Sequence, residues 1–431
     1  MRRIQGTEHE YTLYCKRLTP KGFDPHSISL EILRDSELHL AGEFTTNGSR
    51  CYYDVGHLEV STCEVSNAFD MVVWEKAGEK IVDWLRRVAE EKYLSDDEKI
   101  WAFKNNTSPD GTSYGSHENY LLDRSVSFPD KLVSELVPHL STRFIYSGAG
   151  DILDGKYVIS PMIYLTSAIV SGETMHNTGL INTRDEPHSS RDQWRRLHVI
   201  CGDALMNETA ILLRNFTTAA ILQLIEMDKL GDVPKLSSPV DDMWRNVEKM
   251  NPDEWKVQIN VGKEVSPVEI QRYYLGKIEN IVGDDRERRA FRMFEEVLDG
   301  IENKRSKELA RRIEWLDRYY AIAEAKEKKE GSEVEMMACK QYSEIGNDRG
   351  IFYRRQSKGL VDRFITDEEI VKAVTEPPPD TRAALRKEIS DRFNIESIDW
   401  STVVVNDGRR RTINLPDPYA CRWEDLHGTA G

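Results

Sequence analysis

Cysteine is scarce in this chain, and the cysteines that occur are scattered. Six are spread over 431 residues, and none forms a C-x-x-C pair. This pattern excludes a disulfide framework and the usual spacing of a structural zinc site. Reduced thiols are typical of the cytoplasm, so a cytoplasmic protein is predicted.

Long apolar runs and an excess of positive charge are also missing. No run approaches the roughly 18 apolar residues that a membrane helix needs, and no apolar segment follows Arg2 and Arg3, as one would in a secretory leader. The 59 Lys and Arg face 74 Asp and Glu, which leaves a formal net charge of −15. We therefore expect neither nucleic acid nor an acidic membrane surface as a partner.

The chain does contain enough apolar residues for a large core. Hydrophobic residues make up 39% and aromatic residues 9% of the sequence, which excludes a mainly disordered chain. We predict one large domain over residues 1–360 and a small C-terminal domain over residues 361–431. Residue patterns predict strands and turns over 1–65, a helix over 67–94, strand and loop over 100–124, a long buried helix over 191–226 and charged helices over 266–330.

Two carboxylates share one face of the first predicted strand. Glu8 and Glu10 lie two residues apart in GTEHEY (residues 6–11), which places them about 6.5–7 Å from each other on the same face. Like charges at this distance repel unless a cation or solvent separates them, and Mg²⁺ prefers carboxylate and phosphate oxygens. Taken alone, such a pair is more often part of an exposed edge strand.

A second polar stretch covers residues 52–60. Here Asp54 shares a strand face with Tyr52, and Glu59 follows a kink that contains glycine. An acidic residue in such a place suits a general base or a metal ligand. A plain surface turn is the alternative interpretation.

The third stretch, YGSHENY at residues 114–120, has three consecutive polar residues between aromatic ones. Side chains alternate along a strand, so His117 and Asn119 face one way and Glu118 the other. One face of this strand is therefore predicted to carry a histidine and an amide together.

Arginine marks the fourth stretch, which contains NTRDEPH at residues 182–188 and RRLH at residues 195–198. Arg184 and Arg196 carry the planar guanidinium that binds phosphate or carboxylate with two hydrogen bonds. His198 follows the second arginine pair. The second segment also fits one face of an ordinary helix.

The order of these stretches resembles that of the carboxylate–amine ligases related to glutamine synthetase. More closely, the chain resembles the family of the Pup ligase and its paralogue, the Pup deamidase or depupylase, over nearly its whole length. The stretches that carry the resemblance are GTEHEY (6–11), NGSR (47–50), YYDVGHLE (52–59), KNNT (104–107), YGSHENYL (114–121), INTRDEPH (181–188), RRLHVI (195–200), GIF (350–352), KGL (358–360), TDEEI (366–370), PP (377–378) and TR (381–382).

The resemblance implies an α+β fold with a glutamine-synthetase-like domain, in which helices back a curved antiparallel sheet, and a small C-terminal domain. It also implies a ligase that uses ATP and Mg²⁺ to activate the γ-carboxylate of a terminal glutamate as γ-glutamyl phosphate. The donor is then Pup or a similar small acidic peptide that ends in glutamate. The acceptor is a lysine or another amine.

The resemblance also implies roles for particular residues. By position, it implies a metal shell of Glu8, Glu10, Glu59 and His117, nucleotide or substrate contacts from Tyr52, Arg184, Arg196 and His198, and a catalytic aspartate at Asp54. The aspartate would take a proton from the acceptor lysine, whose pKa of about 10.4 leaves it protonated at neutral pH.

Two alternatives stay open from the sequence. A deamidase or depupylase is disfavoured because the interval at residues 12–46 is short, whereas that paralogue carries a long insertion there. A non-catalytic nucleotide-binding module is disfavoured because the acidic residues are intact. The chain departs from the family in HLEV (57–60), in SPMIY (160–164), where an arginine is expected, and in GDALMNE (202–208), where an asparagine is expected. A substrate other than Pup is therefore one hypothesis.

Overall fold

The computed structural model describes residues 2–15, 24–54, 56–108, 112–173, 177–259, 262–329, 331–346 and 349–426. Val55 of the predicted hairpin and residues 16–23 of the short interval after the first strand lie outside the described residues. The description below refers to the described ranges.

The strands and helices alternate irregularly along the chain. The strands are β1 (Gln5–Cys15), β2 (His39–Ala41), β3 (Phe44–Thr45), β4 (Arg50–Asp54), β5 (His57–Ser61), β6 (Ile100–Phe103), β7 (Ser116–Asp123), β8 (Asp151–Leu153), β9 (Lys156–Val158), β10 (Ala168–Ser171), β11 (Gly179–Asn182), β12 (Trp194–Val199), β13 (Val257–Ile259), β14 (Lys263–Val265), β15 (Ile395–Ile398), β16 (Thr402–Asn406) and β17 (Arg410–Asn414). The helices are α1 (Pro25–Arg34), α2 (Ala68–Tyr93), α3 (Asp130–Leu140), α4 (Phe144–Ser147), α5 (Pro161–Leu165), α6 (Glu208–Glu226), α7 (Pro239–Val247), α8 (Pro267–Ile278), α9 (Asp285–Glu302), α10 (Ser306–Leu309), α11 (Glu314–Lys328), α12 (Ser332–Tyr342), α13 (Ile351–Ser357), α14 (Asp367–Thr375) and α15 (Arg382–Arg392).

One large sheet organises the molecule. Its strand order is β10-β11-β12-β7-β1-β5-β4-β3-β2, and β6 pairs with the end of β1. Neighbouring strands are antiparallel except β10 and β11, which are parallel. The first strand of the chain is therefore central in the sheet, so residues far apart in sequence meet around it.

The two faces of β1 have opposite chemical character. Thr7, His9 and Tyr11 are buried, whereas Glu8 and Glu10 are only partly buried on the other face. The alternation follows from the two-residue period of a strand, as the sequence predicts. We call the face that carries Glu8 and Glu10 the front face and the opposite one the back face.

Helices cover the back face of the sheet. The long helices α2 and α6 pack against each other, α2 also contacts β1 and β6, and α6 contacts β7. Almost every side chain of α6 is buried, including the polar Arg214 and Asn215. The interpretation of this helix as a buried central element, and not a membrane span, agrees with its position. None of the described helices is both long and apolar enough to cross a membrane.

Two sequence predictions about secondary structure were wrong. The predicted helix over residues 191–226 begins only after Asn207, whose side chain caps α6, and Trp194–Val199 forms strand β12. Pairing with β7 outweighs any helical tendency of that segment, because it places one residue in two against the core. The predicted strands over residues 1–65 also contain a helix, Pro25–Arg34, which the side chain of Asp24 caps.

A buried ion cluster of His9, Glu75, Lys104 and Arg214 lies behind β1. Glu75 Oε1 is 2.8 Å from Lys104 Nζ and 3.1 Å from His9 Nε2. Arg214 Nη2 donates to Glu75 Oε2 at 2.9 Å. All four residues are nearly inaccessible to solvent, so the charges of Glu75, Lys104 and Arg214 depend on one another for stabilisation. Burial lowers the pKa of His9 to about 4, so its imidazole is neutral. The cluster ties the central strand to both α2 and α6.

The last part of the chain adds a three-stranded sheet, in the order β15-β16-β17. Together with α15 it encloses a hydrophobic cluster of its own, which includes Leu385, Ile389, Val403, Val405 and Leu415. Arg382 and Arg386 both bind the buried carboxylate of Glu64, just beyond β5. The division of the chain at residue 360 stays a prediction.

Replacing Lys104 tests the buried ion cluster. Lys104→Met removes the ammonium that lies 2.8 Å from Glu75 and 3.0 Å from Glu79 and leaves both carboxylates short of positive charge. We expect a loss of about 3–5 kcal/mol in the free energy of unfolding, measured by urea denaturation. The control Lys99→Met changes an exposed lysine and is expected to shift the value by less than about 0.5 kcal/mol. Equal stability of the two variants would contradict the role of the cluster.

Candidate active site

Five adjacent strands, β4, β5, β1, β7 and β12, bring most of the predicted site residues together on the front face. Across the hairpin, Tyr52 pairs with Glu59. Across the next strand pair, Glu59 is opposite Glu10. Glu8 is opposite His117 between β1 and β7. The site is therefore a set of cross-strand neighbours, held in place by the backbone ladder of the sheet.

Three acidic side chains form what we call the carboxylate cluster: Glu10, Asp54 and Glu59. One oxygen of each lies within 4.8 Å of an oxygen of the other two. Converging carboxylates are unstable unless a proton or cation is shared among them, and hard oxygen donors are the ligands that Mg²⁺ prefers. The donor set fits a magnesium ion.

A second group, the mixed cluster, consists of Glu8, His117 and His198. Glu8 Oε2 lies 3.4 Å from His117 Nδ1 and 3.5 Å from His198 Nε2. The other oxygen of Glu8 accepts a hydrogen bond of 3.0 Å from Asn119 Nδ2. The imidazole and carboxylate atoms of this cluster also lie within 4.8 Å of one another, so two cation-binding groups stand side by side.

The pKa of Glu59 reflects its burial and the negative charges around it. Burial, and next the charge of Glu8, raise the pKa of Glu59 to about 8. Tyr52 Oη donates a hydrogen bond of 2.5 Å to Glu59 Oε1, and burial also raises the pKa of this tyrosine. Tyr52 thus remains a donor at neutral pH, and a cation that binds here displaces a proton from Glu59.

In the mixed cluster the pKa of the carboxylate is lowered, whereas that of Glu59 is raised. Burial disfavours the charged form of Glu8, but hydrogen bonds from His117 and His198 outweigh it and hold the pKa of Glu8 well below its usual value. Burial likewise opposes the charge of His117, but Glu8 raises the pKa of that imidazole. Burial lowers the pKa of His198 to about 4, so His198 is the neutral imidazole that metal ions bind.

The two predicted arginines have different surroundings. Arg196 Nη1 lies 3.5 Å from Glu8 Oε1, and its other terminal nitrogen lies 3.9 Å from Glu186. The side chain of Arg184 is exposed, and within the described ranges it has no ion pair; its backbone nitrogen donates to Asn182. The structure brings Arg196 into the site and leaves Arg184 in solvent after β11.

Two polar residues were missing from the predicted site. Asn119 binds Glu8, and His57 Nδ1 lies 3.3 Å from Glu10 Oε2. The two-residue period of a strand was the available signal, because Asn119 is two residues from His117 and His57 is two residues from Glu59. This period alone does not tell which of the two faces of a strand carries the functional side chains.

A cavity of about 100 Å³ opens beside the mixed cluster, between the front face and the C-terminal part of the chain. Glu8, Asn119 and Arg196 contribute from the sheet, and Arg382, Trp400 and Pro418 from the other side. An aromatic ring, a guanidinium and nearby carboxylates are together suited to a planar, phosphorylated ligand.

Comparison with known proteins identifies the family. The family model for Pup-ligase protein matches residues 3–404, a range that includes both clusters and the walls of the cavity up to Trp400. The chain belongs to the Pup-ligase family. This assignment confirms the resemblance drawn from the sequence.

Individual members of the Pup-ligase family match nearly the whole chain. The Pup–protein ligase of Acidimicrobium ferrooxidans is 33% identical over 444 residues, which cover 98% of this chain and 97% of the relative. The Pup–protein ligase of Geodermatophilus obscurus is 34% identical over 447 residues, or 97% and 96% of the two chains.

Two solved structures of Pup ligases share the fold. The complex between Pup and its ligase PafA matches with a TM-score of 0.88 and 29% identity, over 99% of this chain and 91% of the solved one. PafA in complex with ADP matches with a TM-score of 0.80 and 29% identity, over 96% and 94%. The predicted glutamine-synthetase-like fold and the predicted ATP-dependent, isopeptide-forming ligase are thereby confirmed.

The departures from the family pattern include buried residues. Leu58, Val60, Met162 and Leu205 lie in the three departing segments, and all four are buried. Leu58 and Val60 pack in one hydrophobic cluster with other core residues, and the carbonyl of Leu205 accepts from buried Lys104.

The raised pKa of Glu59 predicts a pH dependence of stability in the metal-free protein. Folded Glu59 keeps its proton up to about pH 8, because burial and the charge of Glu8 raise its pKa, whereas the unfolded chain releases it near the ordinary glutamate pKa of about 4.3. Between these values the folded state binds more protons, so stability falls as pH rises, by at most about 1.4 kcal/mol per pH unit. Glu59→Gln is expected to lack this contribution in chelator-treated denaturation series.

The control for this series is Glu264→Gln, which changes an exposed glutamate on β14. It is expected to follow the unmodified protein at every pH. A Glu59→Gln profile parallel to that of the unmodified protein would contradict the protonated form of Glu59.

A substitution at Gly115 tests how closely the side chains of the site are packed. A Cβ at this position would lie 2.9 Å from two ring atoms of His117 and 3.0 Å from Glu10 Oε1. Gly115→Ala is expected to fold, because flexible side-chain ends can move, but to lose about 100-fold in ligation rate as both groups shift. Gly276→Ala, which meets no atom within 4 Å, is the control. Equal rates for the two variants would exclude a tight arrangement around Gly115.

Proposed function

We propose that this chain is a cytoplasmic Pup ligase that joins the terminal glutamate of Pup to lysine side chains of proteins at the expense of ATP. The carboxylate cluster, which includes the partly buried Asp54, is the observation that carries the proposal. Relatives of this fold bind Pup and ADP, which supports the same ligands here. Cys51, Cys63, Cys201 and Cys339 are buried free thiols, consistent with a reducing compartment.

The proposed position of the nucleotide is the cavity between the sheet and the C-terminal part. Trp400 offers a ring face for the base, and Arg196 offers a guanidinium for the phosphates at the side that faces Glu8. Exposed Arg184 is proposed to bind phosphate or the donor carboxylate, and Tyr52 to hold Glu59 beside the nucleotide. The predicted roles of these residues stay proposals.

The proposed magnesium ligands are Glu8, Glu10, Glu59 and His117, with His198 next to them. Their oxygen and nitrogen atoms converge in two adjacent groups, and the raised pKa of Glu59 marks a place that lacks positive charge. When bound there, Mg²⁺ supplies positive charge that offsets the negative charge of the transferred phosphoryl group.

The reaction has two balanced steps. First, an oxygen of the donor γ-carboxylate attacks the γ-phosphorus of ATP, which gives γ-glutamyl phosphate and releases ADP. Arg196 compensates the negative charge of the phosphoryl oxygens in this step. Second, Asp54 accepts one proton from the lysine ammonium and the free amine attacks the acyl carbon. Inorganic phosphate then leaves with the second proton that the nitrogen loses, as the isopeptide bond forms.

Replacing Asp54 tests the proposed base. Asp54→Asn keeps size and polarity but cannot accept the proton of the ammonium, so ATP binding is expected to persist while conjugation falls by about 10²–10⁴-fold. The assay combines the full chain, ATP, Mg²⁺, Pup with a terminal glutamate and a lysine-bearing protein. Mass spectrometry checks for a product whose mass is the sum of the two minus one water.

The control is Asp192→Asn, an exposed aspartate next to the second arginine segment. It is expected to leave both binding and conjugation unchanged. Conjugation that survives Asp54→Asn would overturn the role of Asp54. Release of Pup from conjugates without any conjugation would instead favour the hydrolytic paralogue.

A further inference from the structure

His57 faces the carboxylate cluster from within the β4–β5 hairpin. Its Nδ1 lies 3.3 Å from Glu10 Oε2, and the exposed fraction of both side chains is 18%. In the strand register His57 is directly opposite Asp54. This imidazole therefore adjoins two of the three acidic residues in the cluster.

The ring of His57 is held by aromatic neighbours. Tyr114 packs edge-on against it, with ring centroids 4.6 Å apart, and His26 packs on it at 6.3 Å. The backbone next to His57 is also fixed, because Leu58 N donates to His26 Nδ1 at 2.9 Å. A ring with such contacts has little freedom to rotate, so the direction of its Nδ1 is set before any ligand arrives.

Each glutamate of the two clusters has a side-chain donor of its own. Glu59 receives a hydrogen bond from Tyr52 and Glu8 receives one from Asn119. For Glu10 the corresponding group is His57. Carboxylates that bind a metal commonly have such an outer partner, which fixes their orientation.

We infer that His57 is a positioning residue that keeps the carboxylate of Glu10 turned toward Asp54 and Glu59, so that the cluster is ready to bind a divalent cation. The inference rests on the proposed metal site. It assigns His57 an action through Glu10 and not a place among the ligands.

The test uses Mn²⁺ binding to the full-length protein, followed by electron paramagnetic resonance without nucleotide. His57→Asn places an amide nitrogen near the position of Nδ1, whereas His57→Gln places it one bond further out. We expect Mn²⁺ affinity to fall by about 10–100-fold in the glutamine variant and to be largely restored in the asparagine variant. His39→Gln is the control, because His39 contacts a backbone carbonyl at Gly42.

Turnover gives a second measurement. In His57→Gln the Mg²⁺ concentration for half-maximal ligation is expected to rise by the same factor, while kcat at saturating Mg²⁺ is nearly kept. Such a split follows from a misplaced ligand, and a loss of fold would not produce it.

The possible outcomes separate the inference from the proposed function. Equal Mn²⁺ affinity in both variants and the unmodified protein would overturn the role of His57 alone. Loss of a directly bound nitrogen signal in His57→Gln would make His57 a ligand, and an equal loss of affinity in both variants with lower melting temperatures would make it a packing residue; either result overturns the inference. An unmodified protein that binds no Mn²⁺ would refute the metal site itself.

Discussion

The site depends on one central strand that carries polar side chains on both of its faces. On the front, Glu10 converges with Asp54 and Glu59, and the mutual repulsion of their carboxylates favours separation. On the back, His9 is held by Glu75, which also binds Lys104 and Arg214. Because side chains alternate along a strand, the residue between the two glutamates is the one that anchors the strand to α2 and α6. The strand can carry repelling carboxylates on its front face because contacts on its back face hold it against the helices.

The glutamates at the front are further held by separate side-chain donors. Tyr52, Asn119 and His57 each bind a different carboxylate, so no glutamate is free to swing away from the others. In such a preorganised site the free-energy cost of bringing like charges together is met when the protein folds, and not when a ligand binds. A cation bound between these carboxylates would relieve the repulsion, and its binding would then be linked to the stability of the fold.

Much of this arrangement could be predicted from the sequence, and the failures have a common cause. The period of two in β1 and β7 placed Glu8, Glu10, His117 and Asn119 correctly on faces. The same period exists in β12, where Arg196 and His198 alternate with buried Leu197 and Val199. The apolar pattern of the following segment, which forms α6, is stronger, so residues 191–226 are predicted from the sequence as one helix. Local periodicity does not show which strand pairs with which.

The proximity of Asp54 to Glu10 also could not be predicted from local periodicity. It depends on β5 lying between β4 and β1, a pairing between segments more than 40 residues apart that no spacing in the chain encodes. The resemblance to a family supplied this information from the sequence, and the sheet supplies its physical basis. His57 lies in a stretch that carries the resemblance, but its contact with Glu10 is visible only in the folded sheet.

The attachment of the C-terminal sheet through Glu64 bears on how this part of the molecule responds to pH. Four guanidinium hydrogen bonds from Arg382 and Arg386 converge on this one buried carboxylate. Burial opposes the charge of Glu64, but the two arginines outweigh it and lower the pKa of Glu64 to about 2. Protonation at neutral pH therefore cannot loosen this joint, and removing either arginine would leave the buried carboxylate short of positive charge. The C-terminal sheet is thus expected to stay fixed beside the large sheet across the whole neutral and mildly acidic range of pH.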